Sequence, residues 1–355
     1  MKILFIGPYR QTDEWGLNSI SLLRSLGEIE GVDLTSRPLF LSSSSDVNRD
    51  NAFFELESKR HDSYDVLIQH TLPSLLVKSG AAKRNIAYLP VETGGNVAWL
   101  NSLNLMDDVF VASSAEREAL LDSLDVPVSA IGGALPSSPE NPTQIPSPTF
   151  RFYFFGETLE SRSGVDLLLD AYLSEFHQNE KVTLIVNTNN PQLLEQKIGE
   201  SSQRIGMYLQ LPLSRYPEII IAPHSEDNLH LNADCLVDPS YSLNFKPNVA
   251  IALCVGNCPI ITEGTGMCDY VNDSNGYTID SHEEYVRCPD RPLVDIFNAN
   301  ERWRIPHGLS LRKTMREAFQ NKKSYAKKSK EGAMGAEMFS PQKQAQALKE
   351  LLCLQ

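Results

Sequence analysis

Short, continuous apolar runs alternate with segments of helical spacing along almost the whole chain. In the first third, the runs are Ile3–Ile6, Val32–Leu34, Val66–Ile68, Ile86–Leu89, Val109–Val111 and Val128–Ile131. They lack polar alternation, as expected of parallel strands covered on both faces. Leu17, Ile20, Leu23 and Leu26 recur at helical spacing. Ser114 to Leu124 reads as a helix, with Ser113 or Ser114 as its cap and Glu116 in its first turn. Repeated βα units predict a doubly wound sheet.

The pattern breaks where Pro136, Pro139, Pro142, Pro146 and Pro148 fall close together among serines, which reads as an extended linker. It then restarts. Phe150–Phe155, Val182–Val186, Ile219–Ile221, Leu236–Val237 and Ile260–Ile261 are strand-like, and Val165–Phe176 and Pro191–Ile205 helix-like. The expected fold class is α/β, with two Rossmann-like domains facing across a cleft. The expected boundaries are 1–135, a linker at 136–149, a second domain at 150–330 and a helical tail at 331–355. Ala345, Leu348 and Leu352 give that tail an amphipathic helix, expected to return to the N-terminal domain. Ser42 to Ser45 reads as a short low-complexity surface loop.

One stretch, Asp234 to Ile261, carries the most information. Cys235–Val237 is a strand; Pro239, Ser240 and Ser242 make a loop; Pro247 opens a helix that is apolar nearly all round. Gly256-Asn257 ends that helix before the next strand. A loop feeding a helix N-terminus at the end of a parallel strand is an anion site in waiting.

Composition narrows the partners. Of 355 residues, 41% are apolar and 22% charged, with a net charge of −13 that opposes tight binding to a nucleic-acid backbone. Residues 311 to 330 reverse the sign locally, with eight Lys or Arg and one Glu; they read as a solvated helix face or as a contact with an anionic acceptor or membrane surface. No apolar run reaches the length of a membrane span. The six cysteines, all after residue 234, show no metal-ligand spacing and read as thiols in a reducing cytoplasm. A cytoplasmic chain with no metal and at most peripheral membrane contact is expected.

Several ordered segments resemble the GT-B glycosyltransferases of the family 4, or group 1, type. Phe154-Phe-Gly-Glu-Thr-Leu-Glu-Ser-Arg-Ser-Gly-Val-Asp-Leu-Leu168 is similar to the family's strand, Gly-Arg loop and Arg-Lys-Gly helix start. Ala233-Asp234, Val237-Asp-Pro-Ser240, Thr262-Glu-Gly-Thr-Gly-Met-Cys-Asp269 and Asn275-Gly276 resemble its downstream motifs. Leu89-Pro-Val-Glu-Thr-Gly94, Trp99 and Asp107-Asp-Val-Phe-Val-Ala-Ser113 look like the N-terminal pattern of one branch. The resemblance covers nearly the whole chain. It implies transfer of a sugar from a UDP- or GDP-linked donor, with retention of configuration, no metal, and no cofactor beyond the nucleotide-sugar co-substrate. Donor contacts would lie in the C-terminal half and the acceptor in the N-terminal half.

The sequence departs from that family at the donor site. The two glutamates that usually bracket the opening loop and helix are missing in every register: Ser242 and Ala250, Leu243 and Ile251, or Asn244 and Ala252 stand there. At the diphosphate, Glu157 and Ser163 replace the family's Arg and Lys. Arg162 and Lys246 are the cations nearby, each equally readable as a surface charge. The expected donor-binding set is Gly16, Arg162, Gly164, Asn244, Lys246 and Gly266, with glycines letting backbone N–H groups approach phosphate. Glu92 and His70, after and at the end of strands, are the expected catalytic pair; Glu92 would orient or deprotonate an acceptor hydroxyl. Plainer readings are a surface carboxylate and a core imidazole. Pro223-His224-Ser225 would line a base pocket, and Asp269 and Glu263 would cap a helix or bind sugar hydroxyls. Two alternatives to an active enzyme of this type stay open: a GT-B subunit that has lost catalysis, and a phage-type DNA-base glycosyltransferase.

Overall fold

The computed structural model describes residues 1–41, 47–94, 97–136, 147–156, 159–210, 215–223, 229–286 and 301–353. Glu157, His224, Ser225, the serines at 42–45 and most of the proline-rich linker lie outside them.

Six strands form the first sheet: β1 (Lys2–Gly7), β2 (Asp33–Pro38), β3 (Tyr64–His70), β4 (Ala82–Tyr88), β5 (Asp108–Val111) and β6 (Val128–Ala130). Their order is β2-β1-β3-β4-β5-β6 and every neighbouring pair is parallel. The second sheet has β7 (Phe150–Gly156), β8 (Val182–Thr188), β9 (Glu218–Pro223), β10 (Cys235–Asp238), β11 (Ile260–Thr262) and β12 (Tyr277–Ile279), ordered β12-β11-β10-β7-β8-β9 and again parallel throughout. Because helices cover both faces of these sheets, Ile3, Phe5, Phe152 and Leu184 are wholly buried, and the strands read as unbroken apolar runs. A two-stranded antiparallel ribbon, β13 (Ser281–Tyr285) with β14 (Arg302–Pro306), follows. Its strands carry polar and apolar residues in mixture, which is why the apolar pattern did not mark it.

The helices of the first half are α1 (Glu14–Gly27), α2 (Ala52–Ser58), α3 (Val97–Leu103) and α4 (Ser114–Leu121). The second half has α5 (Val165–Glu175), α6 (Pro191–Leu209), α7 (Leu229–Asn232), α8 (Pro247–Cys254), α9 (Gly308–Gln320), α10 (Lys322–Met334) and α11 (Pro341–Cys353). Local chemistry sets their starts. Asp13 caps α1, Ser113 caps α4, and Asn190 with Pro191 opens α6. Gly256, at φ +81°, closes the α8 end in a conformation suited to glycine.

The C-terminal helix returns to the N-terminal domain. Leu348 and Leu352 join the apolar cluster of Ile20, Leu22 and Leu23 from α1, and the same cluster takes in Phe245 and Val249 at the start of α8. Arg84 Nη1 donates to the Leu351 carbonyl at 2.9 Å, and the Leu135 N–H donates to the Phe339 carbonyl at 2.8 Å. The basic run at 311–330 is not a single solvated face. In α9, Leu311 and Met315 are buried against the second sheet, and Arg312 and Arg316 pair with Glu175.

Candidate functional site

In doubly wound sheets, ligands bind beyond the carboxyl ends of the strands where the strand order reverses. The first sheet reverses between β1 and β3, the second between β7 and β10. Loops leaving β1 and β4 of the first sheet meet loops leaving β7 and β10 of the second across the domain boundary. Glu14, after β1, meets Lys246, after β10, at 3.1 Å. Glu92, after β4, pairs with Arg162, after β7. The Glu92 carbonyl accepts the Leu243 N–H at 3.3 Å, and Ser113 Oγ donates to the Leu243 carbonyl at 2.9 Å. Two ion pairs thus bridge the boundary, each joining a carboxylate of the first half to a cation of the second.

These pairings refine the expected roles. Arg162 also holds Glu160 at 2.9 Å, so its charge is shared by two carboxylates. Both pairs keep about a fifth to a quarter of their side-chain surface exposed: 28% and 24% for Arg162 and Glu92, 19% and 22% for Lys246 and Glu14. At that exposure the partners are exchangeable, because water still screens them.

Gly16, Gly164 and Gly266 were expected to let backbone N–H groups approach a phosphate; the N–H groups of Gly16 and Gly164 themselves are engaged within the fold. The Gly16 N–H donates to Asp13 Oδ1 at 2.9 Å as part of the α1 cap. The Gly164 N–H donates to the Ser161 carbonyl at 3.0 Å. What these positions need is the absence of a side chain: a Cβ would lie 2.0 Å from the Gln11 carbonyl oxygen at Gly16, and 2.3 Å from that of Pro239 at Gly164. At Gly266 a Cβ would fall 2.2 Å from the Leu243 carbonyl oxygen and 2.6 Å from Ser113 Oγ, so this glycine lets the two halves touch. Asn244 is buried and accepts from Ser242 Oγ at 2.6 Å, which shapes the loop before α8. Ser163, standing where a lysine was expected, donates to the Glu160 carbonyl at 2.7 Å. Asp269 is a cap: its Oδ2 accepts the Ser114 N–H of α4 at 2.7 Å, across the domain boundary. Glu263 donates its backbone N–H to the Ile279 carbonyl.

His70 is corrected as a proton-transfer group. It is fully buried, stacked on Trp15 at 5.1 Å, edge-on to Tyr88 at 4.8 Å, and its Nδ1 lies 2.6 Å from Ser19 Oγ. Burial in this aromatic pocket pushes its pKa down to about 3, so the ring is neutral at physiological pH. A neutral imidazole with Nε2 unbonded among the described residues still serves as a hydrogen-bonding group.

Sequence reasoning missed other unpartnered polar atoms in loops that leave the strands. Thr71 Oγ1, Thr93 Oγ1, Ser240 Oγ and Glu14 Oε1 are buried and, like His70 Nε2, make no hydrogen bond among the described residues. Thr71 follows β3, Thr93 follows β4 and Ser240 follows β10, so they sit at the same strand ends. Buried polar atoms without partners cost about 1–3 kcal/mol each, and a hydroxyl-rich or phosphorylated ligand is the kind of partner that satisfies them. Their signal in sequence was position alone, one to five residues beyond an apolar run.

Glu116 was placed only in the first turn of α4. It is fully buried, and its carboxylate accepts the N–H groups of Val91 at 2.8 Å and Ala112 at 3.0 Å. It thereby staples the segment that carries Glu92 and Thr93 to the end of β5. Burial pushes its pKa up to about 8.

These buried groups give the fold a defined pH response. His70 and His230, the latter depressed to about 4 by burial, hold fewer protons folded than unfolded. Their stabilisation is full above about pH 6.5 and is lost as pH falls towards those values, with a slope of up to about 1.4 kcal/mol per pH unit for each. Glu116 acts oppositely, its contribution being full below about pH 4.5 and lost as pH rises through about 8. Urea titrations from pH 4 to 9 should show His70→Gln flattening the acid limb and Glu116→Gln the alkaline limb. Unchanged limbs would refute the assignment.

No protein-family model matches the sequence, and no curated protein is similar to it. Solved structures are similar in fold. Sucrose-phosphate synthase from Thermosynechococcus elongatus superposes with a TM-score of 0.65 at 13% identity, over 99% of this chain and 98% of that one. HepE of Anabaena, solved with UDP and glucose, gives 0.63 at 14% identity over 99% of both chains. S. aureus TarM, solved with UDP, gives 0.60 at 13% identity and covers 84% of this chain; the chain spans only 57% of TarM. At such identities likeness establishes architecture and leaves chemistry to the site. Two parallel Rossmann-like sheets, opposed switch points and a C-terminal helix crossing back to the first domain make this chain a GT-B fold.

Proposed function

We propose that the chain is a glycosyltransferase that binds a nucleotide-diphosphate sugar between residues 150–330 and an acceptor hydroxyl on the 1–135 side. The observation that carries this reading is two partly exposed ion pairs that join the halves beyond the strand ends, Glu14–Lys246 and Glu92–Arg162, in a chain that also keeps unpartnered buried polar atoms after β3, β4 and β10. An incoming diphosphate competes with Glu92 and Glu14 for Arg162 and Lys246. It takes over charge-assisted bonds that a carboxylate already makes, which suits metal-independent stabilisation of the leaving diphosphate. The acceptor oxygen bonds to the anomeric carbon on the face from which the diphosphate leaves, as that carbon's bond to the diphosphate oxygen breaks, and Glu92, freed by the exchange, takes the hydroxyl's proton. Ser240, Thr71, Thr93 and His70 Nε2 meet sugar or ribose hydroxyls, in place of the family glutamates that the sequence lacks. Retention of configuration follows from the family resemblance.

A nucleotide sugar at a hundred times its Kd should raise unfolding free energy by about 2.7 kcal/mol. A thermal-shift panel of UDP, GDP and their sugars should therefore give a clear hit, weakened by Arg162→Ala and Lys246→Ala. No hit, and no hydrolysis of any nucleotide sugar, would sink the proposal. The second reading, a subunit without catalysis, is favoured by the carboxylates that neutralise both cations. It predicts nucleotide binding without turnover, and rescue of a partner transferase on mixing.

A further inference from the structure

We propose that the outer face of α10 docks this protein peripherally on an anionic membrane surface. The helix divides cleanly. Tyr325, Ser329 and Gly332 face inward: Tyr325 Oη and Ser329 Oγ donate to the Asp234 and Gly256 carbonyls, and Gly332 lies against Leu253 of α8. Lys323, Lys327, Lys330 and Met334 recur at helical spacing on the opposite, exposed face, with Lys322 beside them. Lys328 is consumed, donating to the Gly276 carbonyl at 2.8 Å and lying over the Tyr277 ring. Lys322, Lys323, Lys327 and Lys330 form no hydrogen bond or ion pair among the described residues. The segment from 322 to 339 opposes five lysines with only Glu331 and Glu337.

Two features select a membrane over another polyanion. The lysine stripe runs into two exposed methionines, Met334 at 70% and Met338 at 44%. Their apolar tips gain from the boundary between headgroups and acyl chains and gain nothing from a nucleic-acid backbone. The chain as a whole carries −13, so an anionic surface repels most of the molecule and admits this face. Among the described residues no helix is long and apolar enough to cross a membrane, which makes the contact peripheral. Docking also leaves the cleft accessible. Gly332 lies against Leu253 in the C-terminal half of α8, whereas Lys246, at the helix's other end, pairs with Glu14 across the domain boundary.

The test is sedimentation of the full chain with phosphatidylcholine vesicles, with and without phosphatidylglycerol. Binding should require phosphatidylglycerol and weaken with salt. Each lysine near an anionic surface contributes about fivefold, so joint Lys323→Gln, Lys327→Gln and Lys330→Gln should reduce partitioning about a hundredfold, with the melting temperature unchanged. Joint Met334→Gln and Met338→Gln should also weaken it. The proposal is overturned if phosphatidylglycerol has no effect, or if the triple variant binds as well as the parent. It is equally overturned if the methionine variant binds normally and short duplex DNA displaces the vesicles, which would assign the patch to a soluble polyanion.

Discussion

Glu92→Gln should lower sugar transfer by at least about a hundredfold while tightening the binding of a nucleoside diphosphate. The first effect follows from removing the group that takes the acceptor's proton, a contribution of about 10²–10⁴ in general-base catalysis. The second follows from the ion pair. Glutamine cannot hold Arg162 as the carboxylate does, so the guanidinium is released to phosphate. A pair exposed to this degree is worth about 1 kcal/mol at most, which sets the gain at about fivefold at most. The opposite signs give the experiment its force. A structural role alone would weaken both quantities together, and a subunit without catalysis would show only the tighter binding. Titration calorimetry with UDP and GDP, alongside single-turnover transfer, reads the two separately. Glu14→Gln should tighten binding through Lys246 in the same way and leave the proton-transfer step intact, because Glu14 sits on the other ion pair.

Gly164→Ala should be among the most destabilising single substitutions in the second half of the chain. Gly164 has φ +75°, the left-handed region, which costs other L-residues about 1–2 kcal/mol. The added Cβ would also lie 2.3 Å from the Pro239 carbonyl oxygen, a backbone atom with no room to give. Overpacking of that kind costs about 1–3 kcal/mol more. The sum, about 2–5 kcal/mol, corresponds to a fall in melting temperature of roughly 5–15 °C for a unit of this size. Gly199→Ala is the control, because a Cβ there meets nothing within 4 Å inside α6. Equal melting temperatures for the two variants would remove the argument that the turn after β7 is built on this glycine.

Much of the architecture was legible before any coordinate. The six apolar runs before the prolines and the five after them each fall within or overlap a parallel strand, because strands buried on both faces carry no polar alternation. β12 escaped notice because Thr278 interrupts its apolar residues, and the β13–β14 ribbon because charged and aromatic residues are interleaved along it. Arg162 and Lys246 were singled out in the segments that resemble the family's donor motifs and Glu92 by its place after a strand, and all three lie at the boundary between the halves. Their partners were not. Sequence offered Lys246 as a lone cation, yet Glu14 lies 232 residues away along the chain.

The sequence by itself determined two parallel sheets, the break between them, the strand–loop–helix stretch from Asp234 to Ile261 and the amphipathic helix at the C-terminus. Each is a local pattern, since apolar spacing reports which face of one element is covered. Only the tertiary structure decided that Glu92 and Glu14 hold the two cations and that Asp269 caps α4. It alone showed Glu116 stapling the loop of Glu92, and the hydroxyls of Thr71, Thr93 and Ser240 buried without partners among the described residues. These depend on how one domain docks on the other. Charge and hydroxyl chemistry have no periodicity that announces a partner a hundred or more residues away.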